Sequence, residues 1–253
     1  MQLHAFILHL TRAEKRRENA KKLLENCGLA GEIWPAVDGS AMSSGDLETT
    51  VGAKLFQPTY PFPLKTGEIG CFLSHRQIWA EMQACNIEAA LIIEDDAGIE
   101  TDVLDAAIDL AQTHIQKLGY IQFQTRHHKG PSTLIDTSGS SALVVPQNTG
   151  LRTTAQMVSK QAAARLLALS ETIDRPVDTF VQSHWHTGLR PAEIYPSGIC
   201  DIADTLDGST IQGGKKPFWE KVWREAARTH YRSAVSRLSR QSSAPQKGGL
   251  SNA

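Results

Sequence analysis

AALIIEDDAGIE, residues 89 to 100, runs five apolar residues without a polar break and then meets Glu94, Asp95 and Asp96. A short apolar run of this kind predicts a strand buried on both faces, and such strands belong to sheets covered by helices on either side. Side chains alternate along an extended chain, so Glu94 and Asp96 fall on one side and Asp95 on the other. Ligands of α/β sheets collect at the carboxyl ends of the strands, which is where these acids are delivered. Two carboxylates facing one site suit a hard divalent cation, Mg²⁺ or Mn²⁺, that takes further oxygens from water or phosphate. An acidic cap for the following helix, or a solvated turn, accounts for the same three letters.

Outward from this strand the pattern alternates. HAFILHL predicts a strand, and RAEKRRENAKKLLENCG a charged helix stopped at Gly28. GEIWPAVDG adds a short strand ending in a turn, and GEIGCFLSHRQIWAEMQAC a long helix with Ile69, Phe72, Leu73, Trp79 and Met82 toward one side. After the acids, residues 101 to 119 predict a helix capped by Thr101. YIQFQ, SALVV and TTAQMVS then predict strands, and KQAAARLLALS a helix. Strands interleaved with helices imply a largely parallel sheet between helical layers.

With 253 residues, 41% of them hydrophobic, the chain can bury a large core. Its four cysteines form no CxxC pair, and Cys71 and Cys85 are too far apart on one helix for a disulfide, so a reducing compartment is expected. The N-terminal apolar run precedes its basic residues, the reverse of a signal peptide, and no run is long enough to span a bilayer, so a soluble or peripheral chain is expected. The net charge of −1 hides a division: residues 215 to 253 hold nine Lys/Arg against two Glu, leaving the rest acidic. The expected organisation is a catalytic domain over 1–214, bounded near DGSTIQGGKKP, a basic amphipathic helix over 215–240, and a disordered tail over 241–253.

Six segments, FILHLTRAEKRRENAKKLL, WPAVDG, LKTGEIGCFLSHRQIW, LIIEDD, MVSKQAAARLL and PVDTFV, occur in the order and at about the spacing seen in glycosyltransferase family 25. The resemblance covers roughly residues 2 to 212. It implies a GT-A-like, Rossmann-type, mostly parallel sheet flanked by helices. It also implies a metal-dependent inverting transfer of a sugar, galactose from UDP-galactose, to a lipooligosaccharide or lipopolysaccharide acceptor of a bacterial surface.

By that resemblance EDD is the acidic, DXD-like motif, so Asp96, with Asp95 and Glu94, would ligate Mn²⁺ or Mg²⁺, and Glu94 and Asp95 would also contact the donor. Leu10, Thr11 and Arg12 would lie near the nucleotide, Asp38 in the AVDG turn would contact it, and His75 would serve the donor or acceptor site. Plainer readings stand beside these: Lys15, Arg16 and Arg17 as a solvated face, AVDG as an Asp-Gly turn, His75 as a core histidine, Thr66 and Glu68 as a helix start. An inverting transfer needs one general base, with Asp178 of RPVDTF the first candidate and Glu68 its rival. Asp178 also reads as a helix-start acid. His184 and His186 read as surface or acceptor-groove residues, not a zinc site. Gln156 and Met157 stand where many relatives carry an aromatic, which weakens the expectation of galactose.

A metal-dependent sugar-nucleotide phosphohydrolase or nucleotidyltransferase would also place acids at strand ends, although no glycine-rich loop opens this chain. An inactive glycan-binding relative is the other alternative. In residues 215 to 240 the aromatics Phe218, Trp219, Trp223 and Tyr231 fall on one arc and Lys221, Arg224, Arg228 and Arg232 on the other. That pattern predicts peripheral contact with an anionic membrane, with the first turns packed on the domain as the alternative. The expected place is the cytoplasmic face of the inner membrane, with a glycolipid or oligosaccharide acceptor and no nucleic-acid partner.

Overall fold

A computed structural model describes residues 2–206 and 218–251. The expected boundary at DGSTIQGGKKP and the side chains of Phe218 and Lys221 lie outside the described residues. In chain order the elements are β1 (Leu3–His9), α1 (Arg17–Asn26), β2 (Gly31–Pro35), α2 (Ser44–Thr50), α3 (Thr66–Ala84), β3 (Ala89–Glu94), β4 (Ala97–Ile99), α4 (Thr101–Leu118), β5 (Tyr120–Phe123) and β6 (Ser132–Ser138). They continue as β7 (Ser141–Pro146), β8 (Ala155–Ser159), α5 (Lys160–Ala168), α6 (Val177–Gln182), α7 (His184–Thr187), β9 (Leu189–Arg190), β10 (Ala192–Tyr195), β11 (Ile199–Asp201), α8 (Phe218–Gln241) and β12 (Gly249–Leu250).

Eight strands form one mixed sheet in the order β2-β1-β3-β8-β5-β10-β7-β6. All run in one direction except β8 and β7, so the sheet is mostly co-directional, as the alternation of elements predicts. Parity along β1 and β3 divides the core in two. Ala5, Ile7, Leu91 and Ile93 pack with α1 and α4, while Phe6, Leu8, Ala90 and Ile92 pack with α3, α5 and α6. Both strands are therefore buried on both faces, which explains their lack of polar alternation.

Two glycines bring α3 against the turn after β2. A Cβ on Gly70 would stand 2.5 Å from the Val37 carbonyl oxygen, and one on Gly39 would stand 1.9 Å from that of Thr66. Ser74, one turn on from Gly70, accepts the Val37 N–H at 2.8 Å and donates to the Gly70 carbonyl at 2.7 Å. Most of the GEIGCFLSH motif is thus explained by close packing. The N-cap of α3 is Lys65, not Thr66, and Glu68 accepts the Lys65 N–H at 2.7 Å.

The C-terminal region departs from expectation. Where a disordered tail is predicted, Gly249 and Leu250 pair with Arg190 and Leu189, and Ala244 is buried. The composition is polar and glycine-rich, yet the positive φ of Gly248 and Gly249 shapes the backbone to meet β9. On α8 the tryptophans stay largely open to solvent: Trp219 is 80% exposed and Trp223, which meets Phe62 edge to face, 57%, whereas Val235 and Ser239 are buried. Among the described residues no helix is long and apolar enough to cross a membrane.

His184, expected at the surface or in an acceptor groove, is fully buried beneath α8. Ser239 donates its hydroxyl proton to the Gln147 carbonyl at 2.6 Å, so its oxygen accepts from His184 Nε2–H at 2.7 Å. Nδ1 then accepts from Ser242 at 2.8 Å, and the network assigns a neutral ring. Burial, reinforced by the Arg190 charge, pushes its pKa down to about 4. A neutral buried histidine stabilises fully above its ordinary value near 6.5, and that stability is lost as pH falls toward the folded value, by at most about 3 kcal/mol. Urea midpoints should fall between pH 6.5 and 4 for the wild type, and His184→Gln should remove much of that slope; an unchanged slope contradicts the assignment.

Candidate active site

The three acids part at the end of β3. Asp95 is 5% exposed and continues the parity of Ile93 toward α1. Its Oδ2 meets His9 Nδ1 at 2.8 Å and accepts the Leu10 N–H at 3.3 Å, and its Oδ1 accepts from Arg16 Nη1 at 3.0 Å. Asn19 donates to the carbonyls of Asp95 and Ala97, tying α1 to the same turn. Asp95, expected as a metal and donor contact, is therefore occupied by the chain itself and does not line the cavity beside it. Arg16 Nη1 also reaches Asp96 Oδ2 at 3.0 Å. Arg16 is only 6% exposed, so the solvated face expected for it is instead a buried bridge between two carboxylates.

Glu94 and Asp96 face a cavity of about 750 Å³. Glu68, Asp178 and Asp201 line it too, with Arg152 on its edge. Leu10, Thr11, Arg12, Asp38 and His75 do not. Arg12 and Asp38 pair with each other at 2.6 Å near the end of β1, and Asp38 caps the following turn through Ser40. His75 is fully buried behind Glu94, with Nδ1 at 3.3 Å from the Gln156 amide.

Asp178 opens α6, as a helix-start acid should, yet its carboxyl group also lines the cavity. Oδ1 accepts the Thr179 N–H at 2.6 Å, and Oδ2 accepts the Arg152 N–H at 3.2 Å. Burial raises its pKa above the ordinary carboxylate value, Glu94 adds to the rise, and these hydrogen bonds oppose it. The loop between β7 and β8 that supplies Arg152 is held from below by buried polar groups. Gln182 donates to the Thr149 carbonyl at 2.6 Å, Gln122 to the Arg152 carbonyl at 3.2 Å, and Glu193 accepts the Gly150 N–H. Arg152 itself has φ of 89° and pairs with Asp201 at 2.7 Å.

The opposite wall comes from α8 and the loop before α3. Tyr231, Arg228 and Arg232 line the cavity with Tyr60 and Phe62. Tyr60 and Tyr231 meet edge to face at 5.7 Å, and Arg228 lies over Phe62. A floor of acids thus faces a wall of cations and rings. Burial first, then the charge of Glu94, pushes Asp96 up to about 6 against the opposing pull of Arg16. Electrostatics of that sign favour a bound cation, and an oxygen-only pair open to the cavity fits a hard divalent one held by Asp96 and Glu94.

Comparison with known proteins places the chain in a family. The family described as "Glycosyltransferase family 25 (LPS biosynthesis protein)" matches residues 2–181. A "Glycosyltransferase 25 family member" of Aedes aegypti is 28% identical over 84% of this chain and 39% of its own length. "Procollagen galactosyltransferase 1" of Danio rerio is 37% identical over 38% of this chain and 16% of its own. "Inactive glycosyltransferase 25 family member 3" of Homo sapiens is 30% identical over 70% of this chain and 30% of its own. The chain belongs to glycosyltransferase family 25. It spans well under half the length of these animal relatives.

The parting of the acids has a measurable consequence. Asp95→Ala removes the more buried of the two carboxylates that hold the Arg16 guanidinium, together with the partner of His9 and the Leu10 N–H, and should cost about 3–5 kcal/mol. Asp96→Ala gives up one contact to Arg16, which Asp95 still holds, and relieves a crowded carboxylate, so the two effects oppose and stability should change by about 1 kcal/mol or less. Urea denaturation of the two variants checks this; equal losses would contradict the division of roles.

Proposed function

We propose that the chain is a divalent-cation-dependent, inverting hexosyltransferase that moves galactose from UDP-galactose to a hydroxyl group of a lipopolysaccharide or lipooligosaccharide acceptor. The observation that carries this reading is the shared cavity of Glu94 and Asp96 with Asp178. The family's description favours a glycolipid acceptor, and the procollagen galactosyltransferase relative favours galactose.

In this reading Asp178 accepts the proton of the acceptor hydroxyl as its oxygen bonds to the anomeric carbon. The bond from that carbon to the diphosphate breaks on the opposite face, so UDP leaves with inverted configuration and no covalent intermediate. Asp96 and Glu94 would hold Mn²⁺ or Mg²⁺, whose chemistry is to neutralise charge on the departing diphosphate. Arg152, Arg228 and Arg232 add positive potential around the same anion. Tyr60 and Tyr231 offer faces for a base or sugar ring. Glu68 is the rival base, although its carboxylate is engaged at the start of α3. Exposed Trp219, Val222 and Trp223, beside the basic residues of α8, favour peripheral contact with an anionic membrane at the cytoplasmic face, where a glycolipid is met.

A panel of UDP-sugars with Mn²⁺, Mg²⁺ or EDTA, with and without lipooligosaccharide, should show metal-dependent UDP release that rises with acceptor. Release that acceptor does not increase, with no sugar appearing on the acceptor, would point instead to a phosphohydrolase. Asp96→Ala should lose most turnover, and Asp178→Asn should keep UDP-sugar binding while slowing transfer by ~10²-fold or more. The wild-type rate should fall as pH drops through the raised pKa of Asp178, since the base must be ionised; a rate that rises there excludes it. Trp219→Ala with Trp223→Ala should weaken binding to anionic liposomes while leaving soluble donor hydrolysis unchanged; full binding by that variant contradicts the membrane contact.

A further inference from the structure

Behind the carboxylate pair lies a second group of ligand atoms. Cys71 and His75 are one helical turn apart on α3, and both face Glu94 at the end of β3. The sulfur, an imidazole nitrogen and a carboxylate oxygen of these residues all lie within 4.8 Å of one another. Cys71 Sγ is 3.8 Å from Glu94 Oε1, and His75 Nε2 is 3.7 Å from the same oxygen. Around a tetrahedral zinc the bond lengths place such ligand atoms about 3.3–3.6 Å apart, so the two contacts to Glu94 Oε1 need to shorten by only a few tenths of an ångström, and rotation of the Cys71 side chain closes the remaining distance to His75.

A second observation points to a ligand. His75 is fully buried, yet its Nε2 has no hydrogen-bond partner, and neither has the buried Oε1 of Gln156. The 3.3 Å contact between His75 Nδ1 and the Gln156 amide is served equally by an Nδ1–H donating to the amide oxygen. That tautomer leaves the Nε2 lone pair aimed at Cys71 and Glu94, as a ligating histidine held by an outer hydrogen bond should be.

We propose that Cys71, His75 and Glu94 form a binding site for a soft divalent cation of the zinc class, separate from the hard-cation pair but sharing Glu94 with it. A thiolate and an imidazole select Zn²⁺ over Mg²⁺ or Mn²⁺. As the metal–sulfur bond forms, the thiol's S–H bond breaks and its proton passes to solvent. Cys71 also lines the cavity, which gives the ion a path in and a place for a water or substrate oxygen as fourth ligand. Occupancy draws Glu94 away from Asp96, so the soft cation opposes the hard one. This last consequence rests on the proposed role of Glu94 in transfer; the binding itself does not.

The test is Co²⁺ titration of the full chain without donor or acceptor, followed by displacement with Zn²⁺. One equivalent of Co²⁺ should produce a near-ultraviolet thiolate-to-metal band that Zn²⁺ abolishes. Cys71→Ser should lose the band, His75→Gln should weaken binding at least 10-fold, and Cys85→Ser, at an exposed thiol on the same helix, should keep it. No thiolate band, or a full band in Cys71→Ser, overturns the proposal. Because the variants can disturb folding, the wild type is also alkylated with and without Zn²⁺ and mapped by mass spectrometry. Protection confined to Cys71 supports the site, and unprotected Cys71 overturns it. With Mn²⁺ at a fixed level, Zn²⁺ should inhibit transfer in the wild type; unaltered transfer at Zn²⁺ concentrations that fill the site would overturn the competition alone.

Discussion

The site depends on one buried guanidinium. Arg16 enters the end of the sheet between Asp95 and Asp96, 3.0 Å from each, and His9 and the Leu10 amide complete the shell of Asp95. A buried cation is tolerated only where its partners are held in place, and here they are held by backbone at the end of β1 and β3. Strand parity sends Asp95 inward, the pairing compensates its charge there, and Glu94 and Asp96 face the cavity. Without it Asp95, which parity already sends toward α1, would be a buried carboxylate lacking its cation.

Around that anchor the cavity is built from distant segments. The loop carrying Arg152 and contacting Asp178 is fixed by Gln122, Gln182 and Glu193, polar groups buried because each satisfies a backbone group of the loop. The far wall is α8, pinned by the hydrogen bonds of His184 to Ser239 and Ser242. Its cations face the acids across the cavity, so the two walls present opposite charges. This wall lies beyond residues 2–181, where the family match ends, so it is a part of the site that the family description does not cover.

Much of the frame was legible in the sequence because its cause is local. Period-two alternation separates Asp95 from Glu94 and Asp96, and unbroken apolar runs mark strands buried on both faces. Arg16 was not legible: in AEKRRE every cation has the signature of a solvated helix face, and only the tertiary position of Asp95 buries one of them. Arg152 and Tyr60 sit in loops without periodicity, where residue type alone does not report position. The six segments that resemble the family pointed to real structure, though several serve packing: Gly70 and Ser74 hold a turn, and Asp38 binds Arg12. On α8 the amphipathic pattern was visible, but the side that packs is set by Tyr231, Val235 and Ser239, not by the larger tryptophans.

The central claim is that the triplet divides, with Glu94 and Asp96 serving a hard cation and Asp95 serving the fold. Anomalous diffraction from crystals soaked with Mn²⁺ and UDP measures this most directly. The account predicts a manganese peak bounded by Asp96 and Glu94 and by diphosphate oxygens, with Asp95 still bound to Arg16 and His9. A peak ligated by Asp95, or manganese bound elsewhere with the Glu94–Asp96 pair empty, would contradict it.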